Sequence, residues 1–200
     1  MSEPSDRAFG HAPTPVLRPW TLGDRDVAAV QRAFAWPGMA AQARNPIATA
    51  VGARSWLEPM VPASADAEPR CVAFAIDLDG VAVGHVMVSA IERVHLTGWV
   101  SYWVAPPARG RGLAGAATAA LADHCFTVQG LFRLELGHRL NNPASGRVAA
   151  AAGFVREGTE RQKLRYRDGD GCWERYDTAL WARLATDPAP AVVPLWIAAK

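Results

Sequence analysis

The chain has 200 residues, 21 basic and 19 acidic, for a formal net charge of +2, and half of its residues are hydrophobic. That length suits one domain with a sizeable core, and so small a charge excess argues against nucleic acid as a partner. No run of eighteen apolar residues argues for a membrane span, and three scattered cysteines without a C-x-x-C spacing argue against a metal site or disulfide framework, so a reducing, cytoplasmic setting is expected.

Residues 1–13 mix Ser, Pro, Asp and Gly and read as a flexible leader to a domain over residues 14–185. Thr14–Trp20 reads as a short strand limited by prolines. Asp24 is placed to N-cap a helix over Arg25–Ala35, which Trp36-Pro37-Gly38 stops, and a second helical stretch covers Pro46–Leu57. Pro59–Pro69 is small and polar, hence a loop. Arg70–Leu78 and Val81–Ile91 flank Asp79-Gly80, a strong hairpin signal, and Gly98–Val104 adds a third strand to an antiparallel meander. Leu113–Phe126 is alanine-rich and helical, and Leu131–Gly137 is a strand expected to lie parallel to Gly98–Val104 through a right-handed crossover. Asn142-Pro-Ala-Ser145 opens a helix that Gly153 ends. Phe154–Tyr166 and Trp173–Leu184 read as a last hairpin around Asp168–Gly171. Residues 186–200 form an Ala/Pro-rich tail whose Val192–Ile197 segment is apolar enough to dock on the body or on a partner, and a homodimer through it or through the final strands is one expectation.

The chemistry is concentrated in the loop Ala105-Pro-Pro-Ala-Arg-Gly-Arg-Gly-Leu-Ala-Gly115. A strand, a glycine-rich turn with two arginines and a helix is an arrangement that holds phosphates. The first helical turn offers unpartnered N–H groups and the positive end of the dipole. Two patterns overlap there. Gly110-x-Gly112-x-x-Gly115, with Glu135 at the distance of a ribose ligand, is the dinucleotide fingerprint of an NAD-dependent oxidoreductase. Arg109-x-x-Gly112-x-Ala114 resembles the pyrophosphate loop of the GNAT N-acetyltransferases.

The surroundings separate the two. A dinucleotide domain needs several βαβ units, whereas here one such unit sits between a meander and a terminal hairpin. The order β-αα-βββ-α-β-α-ββ instead resembles the GNAT fold, an α/β (α+β) architecture with a mixed, mostly antiparallel sheet of about seven strands and a splay between strands 4 and 5. Asn142-Pro-Ala-Ser145, closing with Ala151-Ala-Gly-Phe154, is similar to the Asn-x-x-Ser…Gly-Phe segment of the RimJ/RimL-like branch of that family. Leu134-Glu-Leu-Gly-His138, Glu157-Gly158 and Tyr176-Asp177 match the same branch, so the resemblance spans roughly residues 15–185.

What the resemblance implies is direct transfer of an acyl group from acetyl-coenzyme A to a primary amine, on a protein N-terminus, a lysine or a small molecule. Arg109, Gly110, Arg111, Gly112, Leu113 and Ala114 would bind the pyrophosphate, and the strand end at Trp103–Val104 would pair with the pantetheine arm and stabilise the oxyanion. Asn142 would orient cofactor or backbone, and Ser145 would serve the sulfur as hydrogen-bond donor or general acid; at a helix start both also read as caps. The strand Trp99–Trp103 lacks the glutamate that many relatives carry before the loop. His138, Glu135, Glu92 and His95 remain as candidate bases, beside a water chain, and His138 and Glu135 have opposite strand parity, so only one faces the cleft. Tyr102 and Tyr166 are candidates to line the amine site. Two alternatives stay open: succinyl-coenzyme A as donor, and a catalytically silent coenzyme A-binding module.

Overall fold

In a computed structural model, residues 14–40, 42, 46–61, 69–167 and 172–198 are described. The leader over residues 1–13, most of the 59–69 loop and the Asp168–Gly171 turn lie outside these residues.

Alternating apolar and polar residues build one twisted sheet. Its strands are β1 (Pro15–Pro19), β2 (Val72–Leu78), β3 (Val81–Glu92), β4 (Thr97–Val104), β5 (Arg133–Arg139), β6 (Val155–Arg167), β7 (Trp173–Leu184) and β8 (Trp196–Ile197). Their order across the sheet is β6-β7-β5-β4-β3-β2-β1-β8. The meander β2–β3–β4 is antiparallel, β5 lies parallel to β4, and β6–β7 closes one edge as an antiparallel hairpin. This is the GNAT fold that the sequence implies, with eight strands in place of about seven. The extra strand comes from the C-terminal segment: Trp196–Ile197 pairs in parallel with β1, and Val192, Leu195 and Ile197 pack on the core. The Asp79–Gly80 turn has both residues at positive φ, as a two-residue hairpin requires.

Helices cover both faces. α1 (Asp24–Phe34), α2 (Pro37–Ala40) and α3 (Ala50–Leu57) precede the meander, and α4 (Leu113–Thr127) and α5 (Pro143–Ala151) flank β5 in sequence. Two cores result, one around Trp20, Val30, Phe34 and Leu57 on the α1–α3 side, the other around Val86, Val100, Leu121 and Leu134 on the α4–α5 side. Sandwiched this way, β2 is buried on both faces, which explains why its alternation is imperfect. α4 is buried almost all round, so its alanines let it approach the sheet closely.

Most strand ends fall within two residues of the sequence reading, and three helix boundaries differ for a local reason. Gly23 rather than Asp24 caps α1, leaving Asp24 in the first turn. Pro37 starts α2 instead of only ending α1, since a first helical residue needs no N–H. α3 begins at Ala50, not Pro46, because the Thr49 side chain accepts from Gly52 N and the chain doubles back so tightly that a Cβ on Gly52 would stand 1.9 Å from Pro46 O.

One charged node ties the first strand and helix to the meander. Arg18 donates to both Asp26 oxygens (2.7 and 3.0 Å) and to Asp77 (2.7 Å), and Asp26 also accepts from the backbone and hydroxyl of Thr21. Burial raises the Asp26 pKa, but the bonds from Arg18 and Thr21 outweigh it and leave the carboxyl below its ordinary value. Arg18→Met strands two buried carboxylates and should cost about 3–5 kcal/mol in urea denaturation. Because Asp26 is more acidic folded than unfolded, its contribution is complete above about pH 4 and disappears as pH falls through the folded value. The wild-type midpoint should therefore drop between pH 5 and pH 3 more steeply than that of the variant; parallel curves would refute the assignment.

Candidate active site: an opening between two parallel strands

β4 and β5 pair only from Thr97↔Arg133 to Trp99↔Glu135. Beyond that point β4 stays with β3 and β5 stays with β7, so the two strands part and leave an opening. The bond from Ala105 N to Val83 O (2.9 Å) sets the alternation in the β3–β4 ladder. Trp103, in register with His85, directs its backbone to β3, while Tyr102 and Val104 turn theirs to the opening. Since α4 follows β4 and α5 follows β5, and the strands run the same way, both helices begin at the same end of the opening.

The first of these helix starts fits a diphosphate. Gly112 is its N-cap at φ 72°, a left-handed conformation that glycine adopts without penalty, and no side chain caps the turn and no acid lies in it. The N–H groups of Leu113 and Ala114 head the helix, with Gly110 and Arg111 just before it. Arg109 does not reach toward this turn. Its Nε donates to Val104 O at 2.9 Å and its terminal nitrogen lies 3.4 Å from Met39 Sδ, so it braces the loop against β4 and α2. Arg111 is exposed and remains as the cation beside the turn.

The second helix start carries hydroxyls. Asn142 caps α5, its Oδ1 accepting from Ser145 N at 3.4 Å. Tyr102 Oη crosses from β4 to lie 2.9 Å from Ser145 O and 2.8 Å from Ser145 Oγ. A carbonyl only accepts, so Tyr102 gives it its proton and the Ser145 hydroxyl donates to Tyr102. Burial pushes the Tyr102 pKa up to about 12, partly opposed by the Ser145 bond, so the phenol stays protonated near neutrality.

The candidate bases fall on opposite faces, as strand parity requires. His138 packs beneath α5 against Trp181, its Nε2 only 3.0 Å from where a Cβ on Gly146 would stand, so glycine is what admits the ring. His138 Nδ1 lies 2.9 Å from Arg139 O and therefore carries the proton, leaving Nε2 as a buried lone pair with no partner among the described residues. Glu135 is on the other face, bound by Arg133 Nε at 2.7 Å, and Arg133 also holds Glu157. That ion pair, with a sheet that is not a doubly wound parallel one, removes the ground for Glu135 as a ribose ligand. Glu92 accepts from the backbone of Val94 and His95 in the exposed turn before β4, at the far end of that strand from the opening. Tyr166 stacks on Arg139 in the last hairpin.

On the α1–α3 face a cavity of about 690 Å³ is lined by Met39, Trp56, His85, Met87, Ser101, Tyr102 and Trp103 among others. Tyr102 belongs both to this cavity and to the opening. The sequence reading passed over His85, whose signal is a lone polar side chain in the otherwise apolar run Val81–Val88.

A Cβ at Gly112 meets nothing within 4 Å, so Gly112→Ala should cost only the positive-φ strain, about 1 kcal/mol, and lower Tm by about 2–4 °C. A loss several times larger would mean that the loop is packed more tightly than its geometry indicates.

Residues 16–155 match the family described as the Acetyltransferase (GNAT) domain. The ribosomal-protein-serine acetyltransferase of Escherichia coli (strain K12) is 30% identical over 89 residues, 44% of this chain, and the match spans half the length of that relative. The structure of Mycobacterium smegmatis RimJ in complex with CoA-disulfide superposes with a TM-score of 0.69 at 28% identity, covering 86% of this chain and 87% of that one. The ribosomal-protein-S5-alanine acetyltransferase of Vibrio fischeri shares the fold, with a TM-score of 0.67, 24% identity and coverage of 82% and 91%. With the uncapped helix start, the parted strands and a family match over residues 16–155, this chain belongs to the GNAT acetyltransferase family and is related to the ribosomal-protein acetyltransferases within it.

Proposed function

We propose that the protein is an N-acetyltransferase that moves the acetyl group of acetyl-coenzyme A directly to a primary amine. The observation that carries this reading is the opening between β4 and β5, with an uncapped, acid-free helix start at its mouth and a Tyr102–Ser145 hydroxyl pair reaching across it. The relatives' names, a ribosomal-protein-serine acetyltransferase and a RimJ with CoA-disulfide, point the same way.

In this reading the N–H groups from Gly110 to Ala114 and the Arg111 guanidinium hold the pyrophosphate. The backbone groups that Tyr102 and Val104 turn to the opening pair with the pantetheine amides. An N–H among them stabilises the oxyanion as the amine lone pair attacks the thioester carbonyl. A C–N bond forms and the C–S bond breaks. The proton that the departing sulfur needs comes from the Ser145 hydroxyl, which turns from Tyr102 to the sulfur; the second proton, lost by the nitrogen as the amide forms, returns through water to Ser145, and the α5 dipole favours the developing negative charge. Neither His138 nor Glu135 lines the cavity from which the amine arrives. The ammonium proton therefore leaves through water, after which the N-acetylated product and free thiol depart. No lysine or arginine is present among the described cavity residues, which favours acetyl over the anionic succinyl group.

Calorimetric titration with acetyl-coenzyme A should show saturable binding that Arg111→Ala weakens about five- to tenfold, an effect that shrinks at high salt. Ser145→Ala and Tyr102→Phe should each lower kcat about a hundredfold while the acetyl-coenzyme A dissociation constant moves less than threefold. Full turnover by Ser145→Ala would remove it as proton donor. Tight binding with no transfer to any amine would establish the silent-module alternative, and tighter binding of succinyl-coenzyme A would overturn the choice of donor.

A further inference from the structure

The cavity on the α1–α3 face contains two N–H donors without an acceptor among the described residues. His85 Nδ1 accepts the indole N–H of Trp20 at 3.0 Å, so the neutral ring must carry its proton on Nε2. This is the one hydrogen bond that the His85 side chain makes among the described residues. The residue is 2% exposed, and burial pushes its pKa down to about 3, so the ring is neutral at any working pH. In register on the neighbouring strand, Trp103 Nε1 is buried with no partner. The two rings stand 6.1 Å apart at 29° and both line the cavity. Trp56 meets His85 edge-on at 4.9 Å, and Phe34 meets Trp103 at 5.6 Å, so the surrounding wall is aromatic. A buried N–H without an acceptor costs free energy, and an oxygen from a ligand recovers it. The described lining offers donors and aromatic faces but no carboxylate, so it is built for a neutral oxygen and an apolar body rather than for a chain of cationic amines.

We propose that His85 and Trp103 form a donor pair that grips a carbonyl or hydroxyl oxygen of the acceptor, so that the enzyme selects amines carrying such an oxygen close to the nitrogen, with an apolar group beside it. Trp20 acts as the positioning residue that sets the His85 tautomer. Trp103 thereby has two uses, its backbone bonding β3 and its indole facing the acceptor. This inference rests on the transferase reading given above.

Phenylalanine amide and 2-phenylethylamine share an aromatic body and a primary amine, and only the first carries a carbonyl oxygen. With saturating acetyl-coenzyme A, kcat/KM for the amide should exceed that for phenylethylamine by about tenfold or more. His85→Phe and Trp103→Phe should each raise KM for the amide about tenfold more than KM for phenylethylamine, and His85→Gln, which restores an N–H, should recover part of that difference. Equal use of the two amines by the wild type overturns the proposal without any variant, as does use of neither while other amines are acetylated. Variants that still bind acetyl-coenzyme A but lose both amines equally also overturn it. If acetyl-coenzyme A does not bind at all, the transferase reading is what fails. The donor pair is then judged by tryptophan fluorescence, where tighter binding of the amide than of phenylethylamine supports it and equal binding sinks it.

Discussion

Everything at the site depends on the partial pairing of two parallel strands. β4 and β5 share a ladder for three residue pairs and then separate, each held away from the other by an antiparallel neighbour, β3 or β7. Parallel neighbours require a crossover, and the crossover here is α4. Their shared direction then brings the start of α4 and the start of α5 to the same end of the gap. A stretch of unpaired backbone and two positive helix ends are thus concentrated in one place by topology alone. An antiparallel β5 would have put the two helix starts at opposite ends of the sheet.

Packing makes the gap durable. α4 is small-sided and buried nearly all round, and the α5 start is close enough to β5 that Gly146 touches the His138 ring. On the other face, Arg18 joins β1, α1 and β2 through two buried carboxylates, which keeps α1 on the meander and so holds up one wall of the cavity on that side. The cavity wall includes the aromatic side chains of Phe34, Trp56 and Trp103, backed by Trp20, whose flat faces leave room where smaller aliphatic side chains would interdigitate.

Two buried histidines on adjacent parts of the sheet show how a single bond decides what an imidazole does. An indole N–H at His85 Nδ1 forces the proton to Nε2 and makes the ring a donor. A carbonyl oxygen at His138 Nδ1 holds the proton there and makes Nε2 an acceptor. They also lie on opposite faces, His85 toward α3 and His138 toward α5. Residue type alone assigns neither role.

Much of the architecture was legible in the chain because its signals are local. Asp79-Gly80 demands a tight hairpin, and alanine without proline over residues 113–126 demands a helix; each depends on a few neighbouring residues. The family pattern in Arg109–Ala114 and Asn142–Phe154 then chose between two readings of one glycine-rich loop. Tertiary structure decided what local signals do not encode. The sequence does not say that Arg109 reaches Met39, that Tyr102 meets Ser145 across a gap, or that Arg133 also binds Glu157, because each contact joins residues through the path of the fold. It also does not reveal that His85 and Trp103, eighteen positions apart in number but paired in register, line one cavity, or that the Trp103 indole N–H is buried without an acceptor among the described residues. Periodicity and turn chemistry act over a few residues and so appear in the sequence, whereas hydrogen-bond satisfaction is settled only when distant strands are set side by side.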